Sequence, residues 1–318
     1  MKVGIGTITK DRAELLTQLL ASYASMKQPK NVELLYIIVE NSAQPTIAKV
    51  TDDFSQKIAP TRVIYDTEAR PGIPIARNKV LDIALAEGCD YLTFVDDDET
   101  VLVNWLEEIY TEISENKLDL VGGPLEIEPL FEQKEMGYFQ RLLFKSLVRR
   151  NIGKHKKAIE HKKNKNFDQL GVFTNNWIVR LDFCRDTGVR FDDSMGLAGG
   201  SDRRFLDEAI KAKAKTGWAE NARVIDYIPP QRLRASYQIK RRRDQIVALN
   251  KTRAIVGNYK KPAYKYLYSA LTRSIRSFLS LLFVPFNPDK YLDKSIEFAG
   301  TALGNLYTGM GWETKHYA

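Results

Sequence analysis

The chain is short of the residues that staple, chelate or span. Only two of its 318 residues are cysteine, Cys89 and Cys184, far apart and without the spacing of a zinc site or a redox pair. This speaks against a disulfide scaffold and fits a reducing compartment. Histidine is nearly as scarce: His155 and His161 lie in one basic stretch and His316 near the C-terminus, and none is given a role. No apolar run approaches the ~20 residues that cross a bilayer, the uninterrupted part of the C-terminal third being only 281–286. Residues 1–11 lack a basic region followed by a long apolar stretch, so neither a secretory signal nor an N-terminal anchor is read there. No internal repeat is evident. What remains is the composition of a globular protein, 44% hydrophobic and 28% charged, with length for one large domain or two smaller ones. The formal charge of +8 favours an anionic partner: nucleic acid, a membrane surface or a phosphorylated substrate.

Strand and helix patterns alternate through the first half. Residues 1–9 and 34–39 read as buried strands, 62–65 as a further strand, and 91–95 as a strand running into three aspartates. Helical patterns fall between them. Asp11 is expected to cap the first, 74–86 forms another, and 102–113 follows the aspartates. This predicts an α/β fold, a Rossmann-like, mainly parallel sheet with helices on both faces and a C-terminal helical extension. Ligands of such sheets bind beyond the strand carboxyl ends, where Thr9, Glu40 and Asp96 fall. Residues 120–127 look strand-like, a strand resumes within 173–179, and a helix is expected over about 203–214. The stretch 149–165, with eight Lys or Arg, reads as a solvated loop or a patch for an anionic partner.

Three consecutive carboxylates, Asp96, Asp97 and Asp98, repel one another unless a cation sits among them. Mg²⁺ or Mn²⁺ is the natural candidate, since such ions take one or two carboxylates and fill the shell with substrate phosphates. A solvated acidic turn, or phosphoryl-transfer chemistry, stays open on the cluster alone.

The ordered motifs resemble family 2 glycosyltransferases of GT-A fold. Thr9-Lys10-Asp11-Arg12 looks like that family's Thr-Tyr-Asn-Arg opening, and Ile38 to Ser42 its second strand end, with Glu40 in place of the commoner Asp. Gly72, Ala76-Arg77-Asn78 and the Asp-x-Asp element at 94–98 follow, then Gly122-Gly123-Pro124, Thr174-Asn175-Asn176 and the stretch from Phe191 to Asp202. The last resembles the Gly-Gly-Glu-Asp element of bacterial polysaccharide enzymes, with Ser201 in place of Glu. The resemblance implies nucleotide-sugar binding by Thr7, Thr9, Arg12, Glu40, Asn41, Gly72, Arg77, Asp96 and Asp97, metal binding by Asp98, and Asp202 as general base. Acceptor contacts fall to Trp177, Gly199, Gly200 and Ser201, and diphosphate contacts to Arg232 and Arg241. On this reading residues 1–245 form the GT-A domain, with a donor half at 1–125 and an acceptor half at 126–245, and 246–318 a helical region.

The reaction implied is inverting transfer from a nucleotide sugar, by family likeness a UDP-sugar, to a glycan or lipid-linked acceptor; the alternatives are a nucleotidyltransferase acting on sugar phosphates and a nucleic-acid-binding protein. Nucleic acid is not expected as a partner, because the basic runs lack interleaved aromatics. Residues 263–284 form an amphipathic pattern with Lys265, Arg273 and Arg276 largely opposite the apolar stripe. The stripe either packs on the protein's own core or lies in an anionic membrane, which would make this a cytoplasmic protein peripheral to the inner face of the cell membrane.

Overall fold

A computed structural model of the chain describes residues 1–196, 200–256 and 262–312. The chain divides into two compact units. The first comprises Met1–Glu126, Asn151–Gly196 and Ser201–Asp226, the second Ile127–Arg150, Leu197–Gly200 and Tyr227–Ala318.

In chain order the elements begin β1 (Lys2–Thr9), α1 (Ala13–Ser25), β2 (Glu33–Glu40), α2 (Ala48–Lys57), β3 (Arg62–Thr67), α3 (Ile73–Ala86) and β4 (Tyr91–Phe94). β5 (Glu99–Val101), α4 (Trp105–Glu115), β6 (Leu120–Gly122), β7 (Leu125–Pro129), α5 (Tyr138–Lys163), β8 (Trp177–Arg180) and α6 (Leu181–Thr187) follow. The chain continues through α7 (Ser201–Lys211), β9 (Thr216–Trp218), β10 (Val224–Ile228), α8 (Ala235–Val256), α9 (Ala263–Leu282) and α10 (Pro288–Met310).

The first unit holds a seven-stranded sheet of order β3-β2-β1-β4-β8-β6-β9. β3, β2, β1 and β4 run parallel and β8 is antiparallel to both its neighbours, so the expected mainly parallel α/β sheet is what forms. The apolar run of β2 follows from cover on both faces. Leu35, Ile37 and Val39 join a core with Ala76, Val80 and Ala84 of α3 and Phe205 of α7. Leu34, Tyr36 and Ile38 join another with Leu16 and Leu19 of α1 and Trp105 and Ile109 of α4. A period of two along the strand thus feeds two layers of helices.

Helix α3 lies very close to β1. A Cβ added at Gly6 would stand 2.6 Å from Val80 Cγ1 and 3.0 Å from the Phe94 ring.

Three local expectations are corrected. Asp11 does not cap α1: it has φ 53°, and Arg12 holds the cap position with no side-chain capping bond to the helix. The basic stretch is not a loop, since all of it up to Lys163 lies in α5. The expected boundary near 245 falls inside α8.

In the second unit Met136, Leu143, Ile228, Leu233 and Ile296 make a small core. Helix α10 packs on α8 through two glycines, whose added Cβ atoms would meet Arg242 Cβ at 2.5 Å (Gly300) and Ile246 Cβ at 2.6 Å (Gly304). Helix α9 buries Tyr266, Ala270 and Ser280 and leaves its apolar stripe outside. Packing of that stripe on the core, one of the two seatings open from sequence, is not what the unit shows.

These contacts set two opposite expectations for glycine. Gly6→Ala forces α3 off β1 and should cost about 1–3 kcal/mol. Gly153→Ala adds a Cβ into open space within α5 and should gain up to about 1 kcal/mol. Urea unfolding of the two variants beside the parent checks both.

Candidate active site

The aspartates follow β4 where the strand order reverses, β1 lying between β2 and β4. That is where open α/β sheets bind ligands. The strand register sets which side chains meet. Gly6 pairs with Phe94, and three residues beyond each, the Thr9 hydroxyl donates to Asp97 Oδ2 at 2.6 Å. Arg12 donates to Asp97 Oδ1 at 2.9 Å and lies 3.6 Å from Asp98. Asp96 turns instead to Arg77 of α3, whose Nη2 donates to its Oδ1 at 3.1 Å. Two guanidinium groups therefore supply positive charge among the three carboxylates.

Among the described residues no three Asp, Glu, His or Cys side chains converge on a point that could hold a metal ion. A closed protein cage is thus absent from this region. A hard cation such as Mg²⁺ or Mn²⁺ needs no such cage, since one or two carboxylates with substrate phosphates complete its shell.

The cluster is electrostatically costly. Burial pushes the Asp97 carboxyl up to about 6 against the pull of Thr9 and Arg12. Burial also raises Asp96, opposed by Arg77 and assisted by the charges of Asp98 and Asp202. Beneath them lies Glu99, the fourth acid of the run. It is 3% exposed and is held well above the usual carboxyl range by burial, then by Asp96 and Asp226. Glu99 Oε2 accepts the Asp96 amide at 3.2 Å, and Asn175 donates to Oε1 at 2.8 Å. Sequence reading missed this support, whose only signal was a fourth acid adjoining the three.

Arg77 also reaches the acceptor-side motif: its Nη1 donates to Ser201 Oγ at 3.4 Å. Ser201 opens α7 and Asp202 follows in the first turn, where the helix dipole favours a carboxylate. Among the described residues the Asp202 carboxylate makes no hydrogen bond or ion pair. Gly200, two residues before Asp202, has φ 86°. Gly199 lies outside the described residues.

Other expected contacts serve the scaffold. The Thr7 hydroxyl bonds the Tyr23 hydroxyl at 3.1 Å. The fully buried Glu40 carboxylate accepts from the Thr46 hydroxyl, from Thr46 N at 2.9 Å and from Tyr65 Oη at 2.5 Å. Burial raises its pKa, but these bonds outweigh burial and leave it lowered. Asn41 accepts from Gly72 N at 3.0 Å and donates to the carbonyls of Glu68 and Arg70, so both motif residues shape the turn before α3. Trp177 is not a platform for an acceptor: it is 2% exposed, packed among Phe94, Phe191 and Phe205. Arg232, in the 3-10 turn Pro230–Leu233, and the exposed Arg241 of α8 belong to the second unit.

Residues 5–175 match the profile of glycosyl transferase family 2. The chain belongs to that family. It is accordingly a glycosyltransferase, and its curated relatives agree. It is 27% identical over 248 residues to the succinoglycan biosynthesis protein ExoM of Rhizobium meliloti (strain 1021), covering 76% of this chain and 72% of that protein. A 94-residue stretch, 30% of this chain and 29% of the other, is 30% identical to glycosyltransferase GlyG of Streptococcus pneumoniae serotype 4. The fold matches the mannosyltransferase PcManGT of Pyrobaculum calidifontis, solved with GDP-Man and Mn²⁺, at TM-score 0.56 and 13% identity over 97% of this chain and 74% of that one. It also matches S. aureus TarS residues 1–349 in complex with UDP, at TM-score 0.51 and 15% identity over 97% of this chain and 92% of that one. The chain spans only 55% of the longer TarS structure.

The raised Asp97 carboxyl sets a pH dependence in this family 2 enzyme. In metal-free protein the native state keeps a proton that the unfolded chain releases near pH 3.8. Its stabilising contribution is complete below that pH and is lost as pH rises through about 6. Unfolding free energy should fall by on the order of 3 kcal/mol across this window from Asp97 alone. Asp97→Asn should flatten the slope, read by denaturant titration at a series of pH values.

Proposed function

We propose that this family 2 enzyme moves a sugar from a UDP-sugar to a hydroxyl of a glycan or lipid-linked acceptor with inversion. The observation that carries the reading is the Arg77 bridge, which ties Asp96 on the donor side to Ser201, the residue before Asp202. The UDP of TarS supports the uridine donor, the GDP-Man and Mn²⁺ of PcManGT support a nucleotide sugar with a divalent metal, and the succinoglycan biosynthesis role of ExoM supports a glycan acceptor.

A sugar hydroxyl is a poor nucleophile and needs a base. Asp202 takes its proton as the acceptor oxygen bonds to the anomeric carbon. The bond from that carbon to the diphosphate breaks on the opposite side, and its electron pair leaves with the nucleoside diphosphate. Asp98, with Asp96, would hold Mn²⁺ or Mg²⁺, which supplies positive charge to the departing diphosphate. Arg77 fixes Asp96 and adds charge beside it. Thr9 and Arg12 hold Asp97 away from that role, while Glu40, Asn41 and Gly72 shape the loops on the nucleotide side. We place the enzyme as a peripheral protein of the inner membrane face, a reading supported by the exposed stripe of α9.

The test is nucleoside diphosphate release from a panel of UDP-sugars with acceptor and Mn²⁺. Asp202→Asn should lower turnover about 100- to 10,000-fold while leaving donor affinity nearly unchanged. Asp98→Ala should weaken metal-dependent donor binding about tenfold or more. Normal turnover in Asp202→Asn, or release of pyrophosphate instead, would overturn the assignment.

A further inference from the structure

Helix α9 is built the wrong way round for a helix that only supports a core. Tyr268, Leu271, Ile275, Phe278 and Leu282, three and four residues apart, are between 50% and 70% exposed. The face turned to α10, apart from Tyr266 and Leu267 beside Gly309, is small and polar instead. Ser277 Oγ donates to the Ser295 carbonyl at 2.8 Å, Asn305 donates to Ser269 Oγ at 3.0 Å, and Ala270 and Ser280 are buried. The apolar surface continues into the turn after α9, where Phe286 is 82% exposed.

The charges of α9 and α10 are sorted by sign. Each carboxylate is tied to an arginine of another helix in the same unit: Asp289 to Arg149, Asp293 to Arg150 at 3.4 Å, and Glu297 to Arg242 at 3.2 Å. The cations meet aromatic rings rather than acids: Arg273 lies over Phe298, and Lys290 and Lys294 over Tyr291. Lys265, Arg273, Arg276, Lys290 and Lys294 make no ion pair with any described residue. At about 100° per residue, Lys265 and Arg276 fall on one edge of the exposed stripe. Arg276 and Lys294 also line a groove of about 220 Å³ whose other walls include Leu279, Phe283 and Tyr291. Cations above apolar and aromatic walls match a phosphate ester carried on a hydrocarbon chain.

We propose that the outer face of α9 and the turn after it seat in the headgroup layer of an anionic phospholipid bilayer, with a lipid phosphate between Arg276 and Lys294. Among the described residues no helix is long and apolar enough to cross a membrane, so the helix lies in the interface. A second copy is a poor occupant. Two-fold pairing would set the same uncompensated cations of both copies against each other. The inference deepens the membrane placement given above but stands apart from the transfer chemistry, because vesicle binding is read without donor and donor binding without vesicles.

The experiment is flotation of the full chain with phosphatidylcholine vesicles and with vesicles that also contain phosphatidylglycerol, at low and high salt. The parent should bind the anionic vesicles about tenfold or more better and lose binding as salt rises. Ile275→Glu with Phe278→Glu, and separately Arg276→Glu with Lys294→Glu, should each lower binding about tenfold or more while donor binding and circular dichroism stay unchanged. Phe286→Ser, outside any helix, gives the same readout without risk to helix folding. Equal binding to both vesicle types, or parent-like binding by all the variants, would overturn the proposal. So would release by inorganic phosphate where chloride of equal ionic strength has no effect, since the groove would then belong to free phosphate. A parent that ignores vesicles but is dimeric, and becomes monomeric on Ile275→Glu with Phe278→Glu, would make the face a contact between copies and end the lipid assignment.

Discussion

Like-charge repulsion among Asp96, Asp97 and Asp98 is the constraint on which the first unit depends, and two guanidinium groups meet it. Arg12 takes Asp97 and approaches Asp98, while Arg77 takes Asp96. The division is unequal: Asp97 accepts from Thr9 at 2.6 Å and from Arg12 at 2.9 Å, whereas Arg12 stands 3.6 Å from Asp98. Arg77 bears a further cost. It is 7% exposed, and its Nε has no hydrogen-bond partner among the described residues. Ser201 offers it a hydroxyl where the resembling motif carries an acid, so Asp96 is its only carboxylate partner among the described residues.

The position of Arg77 depends in turn on a glycine. Val80, one helical turn beyond Arg77, sits where a Cβ of Gly6 would be. The close approach of α3 to β1 therefore determines how far the guanidinium extends toward Asp96. The parallel pairing of β1 with β4 then brings Thr9 and Asp97 together. Sheet register, helix packing and charge pairing are thus parts of one arrangement, and a change in any of them moves the others.

Much of this was legible in the sequence, because buried parallel strands announce themselves as apolar runs, and β1, β2 and β4 lie where those runs fall. The seating of α5 was not legible. Over its basic half the fully buried side chain is Ala158, with Ile159 partly packed beside it, so no apolar period marks a helix that good helix formers such as Lys, Arg and Glu sustain. Asp11 has the identity of a cap but not the backbone, since its positive φ lies outside the extended region that a cap needs. Trp177 shows the limit for the site: a tryptophan beside a motif reads equally as platform or core, and only the three phenylalanines around it, distant in sequence, decide for core. Glu99 was hidden in the same way, because burial is a property of the fold and not of the run of acids.

The motif asparagines explain why short, separated words mark this site. Asn41 holds the 68–72 turn through both sides of its amide. Asn78 donates to the Phe191 carbonyl at 2.8 Å and accepts from Phe191 N at 3.1 Å, anchoring the segment that leads to α7. Asn176 joins Trp105 to the carbonyls of Pro124 and Ala222, and Asn175 holds Glu99. An amide can do this because it offers two donors and an acceptor in one plane, enough to satisfy backbone groups of two loops that have no ladder of their own. A carboxylate at these positions would add charge to a region already acidic, and a hydroxyl would lack the reach. The words that resemble a ligand-binding signature are therefore largely the joints of the frame, and they hold the aspartates and α7 in place before any ligand arrives.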